Sequence, residues 1–179
     1  MRRGLLALLA VLAALVAIVA AGPAYGRNGS NPPLEYVRYK GENVQKTYLY
    51  HYDWHYRTAS GQWIHNTWTA PGYEFPTTQP VAPNTRVNVV IRSPMKPDKL
   101  NIRNYHPLVE GSPPKGGEFV PSHLYPIRNK SGEIIKWDAW FTVEWGNEHH
   151  NLVITTKWLP DPGTGHPYGT EVRLAHVRP

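Results

Sequence analysis

The chain has no cysteine. Disulfides, thiolate zinc sites, a thiol nucleophile and a lipid carried on cysteine are therefore excluded. An exported domain of this composition must be held by its core alone. Charge of one sign is also scarce. The net charge is +6, and beyond residue 26 no basic cluster is denser than Lys96-Pro97-Asp98-Lys99. Phosphate backbones call for a basic stripe, so nucleic acid is not an expected partner. The motifs Gly-x-Ser-x-Gly and His-Glu-x-x-His are missing, as is a glycine-rich phosphate loop. Asp138 and Glu144 lie on one expected strand about 20 Å apart by extension. That is too far for a glycosidase acid pair. No catalytic residue is assigned, and no organic cofactor is expected.

One long apolar run is present. Arg2 and Arg3 precede an uninterrupted apolar stretch from Leu5 to Ala21, followed by Gly22-Pro23-Ala24-Tyr25-Gly26. Residues 1–26 read as an export signal cut before Arg27 or after Ala21, or as an N-terminal membrane anchor. As a helix the run spans about 26 Å, slightly short of a hydrocarbon core of about 30 Å. A retained segment would touch the membrane through residues 4–22. Loss of residues 1–26 removes two arginines and no acid, lowering the net charge from +6 to +4. Residues 27–33 (RNGSNPP) read as a polar spacer. Residues 34–179 then form a single domain.

That domain is expected to be all-β. Eighteen prolines leave little room for helices. The clearest strand runs from Lys46 to Arg57, with Tyr48, Tyr50, Tyr52, Trp54 and Tyr56 alternating against Leu49, His51, Asp53 and His55. Ala59-Ser60-Gly61 supplies a turn, and Gln62 to Thr69 returns. A three-residue loop sets Tyr56 opposite Ile64, Tyr52 opposite Trp68, His55 opposite His65 and Asp53 opposite Thr67. A slip of one residue would mix polar with aromatic side chains. Arg86 to Arg92 and Lys99 to Tyr105 are further strands. Glu118 to Ile127, broken by two prolines, belongs at an edge. Glu133 to Trp145 puts Ile135, Trp137, Ala139, Phe141, Val143 and Trp145 on one face. Asn151 to Trp158 returns with Leu152, Ile154, Thr156 and Trp158 inward. Glu171 to Val177 closes the chain, with Val172 and Leu174 expected on the opposite face from Ala175 and Val177. Seven to nine short strands with regular turns point to an antiparallel β-sandwich of immunoglobulin-like type.

The sharpest local pattern is His51-x-Asp53-x-His55. Spacing of two on a strand aims all three side chains to one side, and the hairpin register adds His65. Imidazole nitrogens and a carboxylate oxygen suit Zn²⁺ or Cu²⁺, although a solvated outer strand face has the same composition. Glu148-His149-His150 sits at an expected hairpin tip. Trp63, Trp140, Tyr73 and Phe75 fall outside the expected core, where rings can stack on sugars or anchor a protein. The sequence therefore describes an exported or surface-tethered module that works by binding or structural contact. Its partner is a protein or carbohydrate at the cell surface. A metal-binding protein using the His/Asp patch is the alternative, and a carbohydrate-binding module using exposed aromatic rings the third reading. Export is directly testable. Replacing Leu8 and Leu9 with Arg places two charges in the apolar run, each opposing insertion by about 2.5–3.5 kcal/mol. Cell fractionation should then find the protein in the cytoplasm, and an unchanged exported fraction would contradict the export reading.

Overall fold

The computed structural model describes residues 29–33, 35–39, 42–72, 82, 84–105, 117–143 and 150–177. The apolar N-terminal run, Tyr73, Phe75, Trp145, Glu148 and His149 lie outside them, as do the side chains of Val143 and His150. No described helix is long and apolar enough to cross a membrane.

Eleven strands are described: β1 Glu35–Tyr39, β2 Glu42–Lys46, β3 Tyr48–Arg57, β4 Trp63–Thr69, β5 Thr85–Ile91, β6 Lys99–Tyr105, β7 Glu118–Phe119, β8 His123–Arg128, β9 Ile134–Val143, β10 His150–Trp158 and β11 Tyr168–Val177. They form two antiparallel sheets, ordered β2-β1-β5-β9-β8 and β4-β3-β11-β10-β6-β7. The fold is thus an all-β, sandwich-like pair of sheets. It holds more strands than the seven to nine expected. β1 and β2 had no clear alternation to announce them. The proline-broken segment also makes two edge strands, β7 on one sheet and β8 on the other, with residues 120–122 crossing between them.

Period-two alternation decides which side chains meet between the sheets. Val37, Val87, Val89, Ala139 and Phe141 come from the first sheet, and Ile102, Leu152, Ile154, Ala175 and Val177 from the second. Together they make one buried cluster. A second cluster gathers Trp54, Ile91, Trp137 and Trp158, with Trp54 and Trp158 edge to face at 5.3 Å. Trp137 was expected beside Phe141 and belongs to this second group instead. Each of its three indole N–H groups finds a carbonyl. Trp54 donates to Gly29 at 2.6 Å, Trp137 to Pro94 at 3.2 Å and Trp158 to Met95 at 3.5 Å. A buried indole needs such a partner. Through the first of these bonds the segment from Gly29 lies against the domain.

Three further side-chain placements have local reasons, the first of them a change from expectation. Ile135 is exposed, because β8 and β9 slip in register there: Ile127 pairs with Lys136 but Arg128 with Ile134. The bulge turns Ile135 out of the core row. On β11, Ala175 and Val177 face the core, and the inward row begins with the polar pair Glu171 and Arg173, both buried. Val172 and Leu174 lie opposite that row, as the alternation expects, and nothing local announces its buried polar start. Trp68, opposite Tyr52 as expected, is 42% exposed because β4 is an edge strand.

The core assignment has a direct test. Phe141→Ala should cost about 3–5 kcal/mol by leaving a cavity in the first cluster. Ile135→Ala should stay within about 0.5 kcal/mol, as at other exposed sites. Urea denaturation of both variants decides whether β9 is placed right side in.

Candidate functional site: two histidines and an aspartate on the outer sheet face

β3 has one face in the core and one turned outward. Trp54 is 1% exposed in the core, so its neighbours Asp53 and His55 must point to the other side of the pleat. The hairpin then selects the partner. Gly61 takes φ 86°, the left-handed conformation that a three-residue loop asks of its last residue. Thr58 donates to the Gln62 carbonyl and Gly61 to the Thr58 carbonyl, closing the turn at 2.8 and 2.9 Å. The resulting register pairs His55 with His65, Asp53 with Thr67, Tyr52 with Trp68 and Tyr56 with Ile64. This is the register expected from the sequence.

Across the hairpin, the His55 and His65 rings stack with centroids 4.1 Å apart and planes within 2°. Their Nε2 atoms lie 3.4 and 3.0 Å from one oxygen, Asp53 Oδ1. A carboxylate only accepts, so in the 3.0 Å hydrogen bond the His65 Nε2–H is the donor. The same oxygen has the His55 edge beside it at 3.4 Å. The three ligand atoms all lie within 4.8 Å of one another. Among the described residues this is the one such group.

His51 shares the face and stays apart. Its Nδ1 is 2.8 Å from Thr69 Oγ1, its cross-strand neighbour. Engaged by Thr69, it is not among the residues whose ligand atoms meet at Asp53. Of the four residues singled out, the structure brings three together and leaves the fourth on a different partner.

Tyr168 is the member that local sequence could not reveal. It opens β11, pairs with His55, and stacks on that ring at 4.6 Å and 10°. His55 is therefore held between His65 and Tyr168. Gly169 makes the approach feasible. It has φ 151°, and a Cβ there would collide with the Asp53 carbonyl and the Trp54 backbone. Trp63, 44% exposed, leans on the far side of Tyr168 at 5.4 Å and 59°.

The other aromatic candidates divide. Trp140, on the outer face of the first sheet, lies between Arg86, whose guanidinium sits 4.4 Å above the ring, and His123, stacked at 5.3 Å. Those neighbours come from the strands on either side of β9. Its ring faces are occupied within the molecule, whereas Trp63 keeps open surface. The same sheet face holds a satisfied polar network. Asp138, with no exposed area, accepts from Arg38 at 2.6 Å and Asn88 at 2.8 Å. Comparison with models of known protein families, with curated proteins and with solved structures finds no match.

Proposed function

We propose that this chain is an exported binding module and that it takes up a divalent transition-metal ion, Zn²⁺ or Cu²⁺, through Asp53, His55 and His65. The observation that carries this reading is the convergence of the three ligand atoms on the outer face of the β3–β4 hairpin. Zn–N and Zn–O bonds of about 2.0–2.2 Å in tetrahedral array put neighbouring ligand atoms about 3.3 Å apart. The distances from Oδ1 to the two Nε2 atoms, 3.4 and 3.0 Å, already bracket that edge. Two nitrogens and one oxygen are borderline donors suited to these metals. Three protein ligands leave a coordination position for water or for a donor from a partner.

The stack sets a condition on loading. Parallel rings confine their in-plane lone pairs to two separate planes, which share no point. One ring must turn about its Cβ–Cγ bond, and the Nε2 of His65 must lose its proton or pass it to Nδ1. His65 is the ring able to turn, because its side chain is 52% exposed and stacked on one side by His55. His55, with 29% exposure, is pinned by Tyr168. Binding thus exchanges two imidazole–carboxylate contacts and one ring stack for three metal bonds.

Export by residues 1–26, as signal or as anchor, and a protein or carbohydrate partner at the cell surface belong to the same proposal. So does an immunoglobulin-like class for the fold. The two-layer antiparallel arrangement supports the class, and the open surface of Trp63 beside the site supports the partner.

Calorimetric titration of the full-length chain with Zn²⁺ and with Cu²⁺ tests the assignment, run beside a His55→Ala, His65→Ala double variant. The wild type should take up one ion per chain. Loss of ordinary supporting contacts weakens such sites about 10–100-fold, and loss of two ligands should exceed that. Equal uptake by the two proteins, or none by either, would leave the histidines as a solvated strand face.

A further inference from the structure

A second cluster of titratable groups lies inside the sandwich, away from the histidines. Glu35 of β1 and Glu171 of β11 both have no exposed area, and Arg173 is 5% exposed beside them. They occupy the gap between the two apolar clusters. Along β11 they sit between Gly169, which faces Trp158, and Ala175 of the first cluster. Glu35 comes from the opposite sheet, next to Ile91.

The hydrogen-bond inventory is incomplete if both carboxyls are ionised. Arg173 serves Glu171 Oε2 at 3.2 Å, the Pro33 carbonyl at 3.0 Å and Thr47 Oγ1 at 3.4 Å. Both oxygens of Glu35 and Oε1 of Glu171 are left without a donor. Thr47 Oγ1 does not help, since it donates to the Glu35 backbone carbonyl. The charge balance fails in the same way. One guanidinium neutralises one carboxylate, and a second bare carboxylate in a dry interior is far too costly to persist. A proton resolves both problems, because a carboxylic acid carries an O–H that can reach the other carboxylate.

We propose that Glu35 and Glu171 form a proton-operated latch, in which one proton shared between the two carboxyls fastens the first strand to the last and its loss frees β1. The electrostatics agree. Burial, then the charge of Glu35, pushes the Glu171 carboxyl well above its usual range, against the lowering by Arg173. Glu35 and Arg173 are the charged groups acting on it, and the cross-strand neighbours Thr156 and Tyr52 are neutral. A raised carboxyl pKa fixes the sign. The folded state binds a proton that the unfolded chain has already released. The latch therefore contributes fully below the ordinary glutamate range, and its contribution falls as pH rises towards the raised value. β1 is the strand to yield. Its hold on the second sheet includes this pair, and the Arg173 bond to the Pro33 carbonyl ties down the residues just before it.

Hydrogen exchange of the full-length chain, expressed as protection relative to intrinsic rates between about pH 5 and about pH 9, reads the latch directly. Peptides covering β1 should lose protection with rising pH, approaching about tenfold per unit, the slope for one proton. Peptides covering β10 should lose less. Glu171→Gln and Glu35→Gln each replace the shared proton with an amide donor, and each should flatten the β1 slope. A β1 slope of zero in the wild type would overturn the proposal. So would an unchanged slope in a folded Gln variant, or β10 falling in step with β1. The wild-type comparison of the two strands decides the matter even where a variant does not fold.

Discussion

The burial of Trp54 is the constraint from which the candidate site follows. Its indole packs edge to face on Trp158 and donates to the Gly29 carbonyl, so the side of β3 that faces the other sheet is settled. Pleating then leaves Asp53 and His55 no choice but the outer face. The contacts between Asp53 and the two imidazoles are half exposed, and exposed pairs of this kind contribute at most about 1 kcal/mol. Full burial of a large apolar side chain contributes more, about 1.5–3 kcal/mol. Core packing therefore sets the strand, and the polar cluster is carried by it. The histidines and the aspartate are not what holds the hairpin, which leaves them available for a ligand.

Strand twist and long-range pairing add what the hairpin lacks. β11 returns beside β3 more than a hundred residues later in the chain, and a glycine at position 169 lets it come close. Tyr168 then covers the exposed ring face of His55. One ring held on two sides beside another held on one gives an asymmetric pair, with His65 the movable member. Inside the sandwich the same strand supplies Glu171 and Arg173. β11 thus connects the outer cluster to the buried carboxyl pair through its two faces.

Local chemistry was legible in the sequence, and distant chemistry was not. The β3–β4 register could be read because a turn with glycine at its left-handed position and a period of two admit one pairing that separates aromatic from polar faces. The inward row Leu152, Ile154, Thr156 and Trp158 was legible for the same reason, and all four are buried. The place of Tyr168 was not, because nothing near residue 168 announces a partner near residue 55. The buried polar start of β11 was not legible either, since Glu171 and Arg173 look like surface residues until Glu35 is placed against them. The bulge at Ile135 likewise depends on pairing with β8. His51 matched the spacing of its neighbours, and only the side-chain bond to Thr69 shows that it is engaged elsewhere.

The central claim is that one ion sits between Asp53 Oδ1 and the Nε2 atoms of His55 and His65. Anomalous diffraction at the zinc edge, from crystals of the full-length chain equilibrated with Zn²⁺, tests it most directly. The account predicts a single strong peak about 2.0–2.2 Å from all three atoms, with the His65 ring turned out of its stack. A parallel His55–His65 stack with no peak beside it, in crystals that hold zinc elsewhere, would contradict it.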